Sequence, residues 1–133
     1  MSAENVANAK RAIEGYNRLD VDAFVDHATA DFEWIPAMPG LVEGHSYVGR
    51  RGVEEYFREI RDTWEELCIV DAEYRDLGDR ILVLGRVEGS GRGSGIYVRS
   101  PLAVIIELRG DRAWRSRSYL DHDEALRAAG LAE

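Results

Sequence analysis

The chain has 133 residues, 45% hydrophobic and 32% charged, with 17 Lys and Arg against 25 Asp and Glu for a net charge of -8. That length suits one domain, 1–133, with a full core; no apolar run approaches the roughly 20 residues of a membrane span, and the negative surplus disfavours nucleic acid as a partner. Met1 to Asn5 carries no basic segment ahead of an apolar one, and Cys68 is the single cysteine, so neither a secretory signal nor an internal disulfide is read and a reducing cytoplasm is the expected setting.

The spacing of Val6, Ala9, Ile13 and Tyr16 predicts a first helix with Ser2 as its N-cap, broken by Asn17-Arg18-Leu19-Asp20. Asp20 caps a second helix with Phe24, Val25 and Ala28 facing inward, ending near Asp31. Phe32 to Ile35 reads as a short strand stopped by Pro36 and Pro39, and Gly40 to Gly49 as a loop. A third helix starts near Arg51, where Val53, Tyr56, Phe57, Ile60 and Trp64 repeat at helical spacing.

A strand meander follows. Val70, Ala72 and Tyr74 alternate with acids; Ile81 to Glu88 runs into the Gly89–Gly93 turn; Tyr97 to Leu108 reaches Gly110-Asp111; Ala113 to Leu120 closes the set. Connections this short leave no room for crossover helices and predict an antiparallel sheet. A short helix from Asp121 to Ala129 ends at Gly130.

Asn17 to Asp22 after the first helix, Ala30-Asp31-Phe32-Glu33-Trp34 entering the first strand, Tyr47 to Val53 entering the third helix, Gly93-Ser94-Gly95 and the closing Tyr119 to Leu126 resemble the SnoaL-like branch of the nuclear transport factor 2-like superfamily. The resemblance implies an α+β cone: three helices packed into a curved antiparallel sheet around a pocket, with a short C-terminal helix behind. It implies a homodimer through the outer face of the sheet. It also implies a cofactor-independent enzyme acting on a small, largely apolar molecule by proton transfer or water addition, as a cyclase, isomerase or hydrolase. The alternative is a noncatalytic binding or scaffold protein of the same fold.

Within the superfamily, the ketosteroid isomerase positions fall at Ala12, Pro36 and Ala103, none of which can donate or abstract a proton, so that activity is not expected. Tyr16, one helical turn from the first, reads as a core or rim residue. Arg86-Val87-Glu88 is similar to the arginine and carboxylate that activate water in limonene-type epoxide hydrolases, but the second carboxylate falls at Ser118 and the water-holding tyrosine and asparagine at Trp34 and Pro36. Two apart on one strand, Arg86 and Glu88 share a face with Leu82 and Leu84, and point into the hollow if those leucines are core; otherwise they form an ordinary ion pair.

Of the histidines, His122 lies between Asp121 and Asp123, in general-base surroundings, although Asp121 with Glu124 is also a helix cap and its reciprocal partner. His27 falls where it could face the cavity and meet Asp31 or Trp34, or serve only structurally. His45 could belong to a lid. The candidate catalytic set is therefore Arg86, Glu88, His122 and His27, with Trp34, Tyr56, Trp64, Tyr97, Ala103 and Ser118 as walls for a substrate. Trp114 reads as core and Cys68 as an inert thiol. The histidine spacing indicates no metal site, and no cofactor is expected. Tyr97 to Ile106 carries apolar residues on both faces, as expected if one lines the cavity and the other meets a second copy.

Overall fold

The computed structural model describes residues 2–37 and 45–131, with the backbone alone at Ser2. The first helix, α1 (Ser2–Arg18), contains Ser2 rather than being capped by it, and buries Ala9, Ile13 and Tyr16. At its end the Asn17 side chain accepts from the Ile69 N–H at 2.8 Å and donates to the Ile69 carbonyl at 2.9 Å, tying helix to sheet. Asp20 caps α2 (Val21–Val25) as expected, accepting from the Ala23 N–H at 3.2 Å. A Cβ on Gly15 would stand 2.8 Å from the Ala23 Cβ, so the two helices meet almost backbone to backbone.

The second helix stops at Val25, well before Asp31, because β1 (Ala28–Ile35) takes over the β-branched and aromatic residues Thr29, Phe32, Trp34 and Ile35. Pro39 and the first half of the expected loop, 40–44, lie outside the described residues. Beyond them, β2 (Tyr47–Val48) pairs with β1, and α3 (Gly49–Thr63) buries Val53, Tyr56, Phe57 and Ile60. Trp64 opens β3 (Trp64–Asp76) instead of closing α3, and is still buried. Then come β4 (Arg80–Gly91), β5 (Tyr97–Arg109), β6 (Arg112–Tyr119) and α4 (His122–Ala128).

The strands lie in the order β2-β1-β6-β5-β4-β3. The β3 to β6 meander is antiparallel as expected, but the sheet is mixed, because β1 runs parallel to β6 with Trp34 opposite Ser116. The expectation weighed only short connections; this pair is joined by all the chain between β1 and β6. In β3 the register slips between Val70 and Glu73, where Asp71 has φ 55. Gly85 faces that bulge: a Cβ there would come within 2.8 Å of the Val70 carbonyl oxygen. The bulge bends the long β3–β4 pair, as bulges do.

Both faces of the sheet are covered. Ile81, Val83, Val87, Val104 and Ile106 point inward to a core shared with α1, α2 and α3. Leu82, Leu84, Ala103 and Ile105 point outward and are buried by Ala125 of α4 and its C-cap Ala129. Asp121 docks that helix by accepting from the N–H groups of Asp123 and Glu124 at 2.8 and 3.3 Å, so the capping reading holds.

Candidate functional site

Between α1, α2 and the inner sheet face lies a cavity of about 40 Å³. Tyr16, Phe24, Phe32 and Trp34 form its aromatic wall, and Ile69, Ile81, Val104 and Ile106 its floor. The rings belong to a larger cluster with Tyr56 and Phe57, in which Phe24 meets Phe57 at 5.3 Å and Tyr16 meets Trp34 edge-on at 6.2 Å. Beyond these and Ile13 and Leu108 the lining is small or polar, with Ala9, Ala12, Asn5, Asn8, His27, Asp111 and Ser116 among it.

Three polar groups of this lining are incompletely satisfied. Asn5 Oδ1, Asn8 Nδ2 and Trp34 Nε1 are buried with no hydrogen-bond partner among the described residues. Trp34 Nε1 lies near enough to the Tyr56 hydroxyl to favour its ionised form, but is not aligned for a hydrogen bond to it. The Tyr56 hydroxyl instead meets Tyr16 at 2.8 Å. Burial is the main cause pushing both phenols up, Tyr56 to about 12 and Tyr16 well above its ordinary value, so both are neutral hydroxyls at physiological pH. A neutral buried tyrosine can donate to a ligand oxygen; it cannot act as a base.

The titratable groups in reach of the lining's polar side are His27 and Asp111. His27 meets neither Asp31 nor Trp34. Its Nδ1 lies 3.2 Å from Asp26 Oδ2 and 3.5 Å from an Arg11 terminal nitrogen. When Nδ1–H donates to the carboxylate, Nε2 keeps its lone pair, the tautomer a base needs.

The other candidates lie elsewhere. Arg86 and Glu88 do form a pair, with Arg86 Nε and one terminal nitrogen donating to Glu88 Oε2 at 3.2 and 2.8 Å, but on the outer face, because Leu82 and Leu84 are buried by α4 and not by the cavity helices. Arg99 also donates to Glu88 at 3.1 Å and Asp71 holds Arg86 from the bulge. These guanidiniums, Arg86 foremost, hold the Glu88 carboxyl below the usual carboxylate range. His122 is a strut: its Nε2 lies 2.9 and 3.1 Å from the carbonyls of Gly85 and Leu102, which only Nε2–H can satisfy.

Among the expected walls, Trp34 lines the cavity. Tyr56 stands behind Tyr16, and Trp64 is buried in the core cluster away from the lining. Ser118 is on the inner side but is engaged by main chain, accepting from the Ala37 N–H at 2.6 Å. Tyr97 and Ala103 are on the wrong face, one 62% exposed and the other beneath α4. Trp114 is half-buried, with the Arg109 and Arg115 guanidiniums 4.8 and 4.5 Å from its ring. Sequence reasoning missed Asn5, Asn8, Tyr16 and Ser116. Asn5, Ala9, Ala12 and Tyr16 recur at helical spacing and Ser116 is two residues before Ser118, so period alone held the signal. Among the described residues no three metal-ligating side chains gather, and no helix is long and apolar enough to cross a membrane.

Comparison with known proteins bears on the whole arrangement. No curated protein matches the chain. Solved structures do. An NTF2-like protein of unknown function from Burkholderia pseudomallei is 20% identical, with a TM-score of 0.77 over 93% of this chain and 95% of that one. TerC, co-crystallised with polyporic acid, is 19% identical with a TM-score of 0.76 over 96% and 97%. A protein from Jannaschia, proposed to be a SnoaL-like polyketide cyclase, is 20% identical with a TM-score of 0.75 over 99% and 94%. Likeness at this identity shows the fold. The SnoaL-like domain model matches residues 9–116, and on that match the chain belongs to the SnoaL-like family.

Proposed function

We propose that this chain binds a small, largely apolar molecule in the cavity between α1, α2 and the inner sheet face. One observation carries the reading: an aromatic hollow whose lining keeps Asn5 Oδ1, Asn8 Nδ2 and Trp34 Nε1 unpartnered among the described residues. Each such group costs about 1–3 kcal/mol while unpaired, and a ligand carrying one or two polar atoms recovers part of that. The co-crystallised TerC supports the idea that this fold accommodates a small organic molecule. The test is the indole N–H resonance of Trp34 in the presence of phenol and cyclohexanone. A saturable shift, lost in Phe24→Trp, is expected; a resonance indifferent to both at millimolar concentration overturns the reading.

A second reading adds chemistry without a cofactor, of the cyclase or isomerase kind, and it is favoured by His27. Oriented by Asp26, its Nε2 serves as the base that takes a proton from a carbon acid at the mouth, while Tyr16 donates to the developing oxyanion as a neutral hydroxyl. The scheme built on Arg86 and Glu88 has no support from their outer position. In this reading His27→Gln still binds cyclohexanone but no longer exchanges its α-protons with deuterium; exchange that persists in the variant removes His27 as the base.

Pairing of two copies through the outer face belongs to the same proposal, with reduced support. Ala103 and Ile105 are covered by the chain's own α4, which leaves Ile96 and Tyr97, 60% and 62% exposed, as the apolar part of that surface. Light scattering at micromolar concentration should give twice 15.0 kDa; a 15.0 kDa species alone rules the pairing out.

A further inference from the structure

The outer face carries a second hollow, on the opposite side of the sheet from the cavity and independent of it. It measures about 290 Å³ and is lined by Ile35, Ile105, Ala128, Tyr119, three arginines (Arg80, Arg115 and Arg117) and Glu107. The strand register explains its chemistry. One row across the sheet runs Arg80, Glu107, Arg115, Glu33, with opposite charges side by side. In that row Arg115 Nε donates to Glu107 at 2.6 Å, and Arg80 lies 3.4 Å from Asp79.

The next row runs Leu82, Ile105, Arg117, Ile35. Here Arg117 stands between two isoleucines and has no acid opposite it. Among the described residues no carboxylate lies within pairing distance of Arg117, although the chain as a whole carries a surplus of acids. Its guanidinium carbon lies 5.5 Å from the Tyr119 ring centroid. With no acid beside it, the group keeps its N–H donors for a carboxylate, which a guanidinium takes through two parallel hydrogen bonds.

We infer that this hollow binds a small organic acid, its carboxylate on the Arg117 edge and its apolar body across Ile105 and Ile35. Arg80 and Arg115 add positive potential to the same rim, while Glu107 is already engaged and disfavours a second negative group on the ligand. The ligand class is therefore a monoanion with a compact apolar body; a dianion or a phosphate fits less well beside Glu107.

Benzoate and benzamide are the probes, because they share a ring and differ in charge. Titration followed by backbone amide shifts at low salt should give benzoate a dissociation constant on the order of 1 mM, with the largest shifts at Ile105, Arg117 and Tyr119, and benzamide binding at least about tenfold weaker. Arg117→Gln should weaken benzoate about tenfold or more, and Arg117→Lys by less, since a point charge keeps attraction but loses the fork. Arg117 is exposed, so both variants should fold, which an unchanged melting curve verifies. Absence of benzoate binding at 10 mM (roughly tenfold above that constant), equal binding by Arg117→Gln, or shifts confined to Trp34 and Ser116 each overturn the inference. A change of molecular mass in Arg117→Gln without loss of benzoate binding also overturns it, assigning the guanidinium to a second copy.

Discussion

The two faces of the β3–β6 sheet are both apolar in the middle, yet they are sealed by different devices. The inner face is covered by three helices that stand off at one point and leave a cavity. The outer face is covered at its centre by one short helix, α4, and beyond it the surface turns to ion pairs. A strand with hydrophobic residues on both sides thus does not by itself announce a partner chain, because the chain can supply the second cover from its own C-terminal turn. What distinguishes the faces is whether unpartnered polar atoms are buried: Glu88 outside accepts from Arg86, Arg99 and Tyr97 and Arg117 there is exposed, whereas Asn5, Asn8 and Trp34 inside keep buried atoms unpaired.

The sharpest way to break that comparison is to hollow each side in turn. Phe57→Ala in the inner core should cost about 3–5 kcal/mol and Leu82→Ala beneath α4 about 2–5 kcal/mol, by urea denaturation. If Leu82→Ala costs under about 1 kcal/mol, α4 is not a cover and the outer face needs another.

Alkali should act from the inside. Tyr56 is raised to about 12 and Tyr16 well above its usual value by burial, so the folded state holds protons that the unfolded chain releases near pH 10. That stabilisation is complete below pH 10 and is lost as pH rises. At about 1.4 kcal/mol per unit for one phenol, the loss between pH 10 and pH 12 is on the order of 3 kcal/mol. Tyr16→Phe should flatten the slope; an equal slope in the variant would assign the loss to other groups.

Smaller effects belong to the outer side. Asp121→Ala removes the cap of α4 and should cost about 1 kcal/mol by thermal unfolding, against no loss at all if the helix is held by packing alone. Glu88→Gln should leave the urea midpoint unchanged within error at neutral pH, because the network is solvent-facing. A large drop there would mean that the pair is far less hydrated than its outer position implies.

Much of this arrangement was legible in the residues. The periodicity of α1 and of α3 as far as Ile60, the caps at Asp20 and Asp121 and the turns of the meander are local properties, and they stand where the spacing put them. The faces of β4 were not legible. Ile81, Leu82, Val83 and Leu84 are all apolar, so a period of two is silent, and Arg86 and Glu88 inherit whichever side α4 happens to cover. Of the candidate catalytic residues only His27 lines the cavity, from the turn between α2 and β1 where its carbonyl accepts from the Ala113 N–H, and among the expected walls Trp34 does so too. The parallel pairing of β1 with β6 was invisible for a different reason: no local pattern records a neighbour so far along the chain.

That pairing has a consequence for how the molecule comes into being. Trp34 lies opposite Ser116, and the Ala37 N–H finds its acceptor on Ser118, 81 residues later. A nascent chain released as far as β5 can build α1 to α3 and the β3–β5 hairpins, but β1 then has only two-residue β2 beside it. Contacts of such sequence separation form late and slowly. Until β6 has left the ribosome, the strand bearing Phe32 and Trp34 is an open apolar edge of the kind that chaperones hold and that aggregation exploits. The cavity is therefore closed only once the last strand has been made.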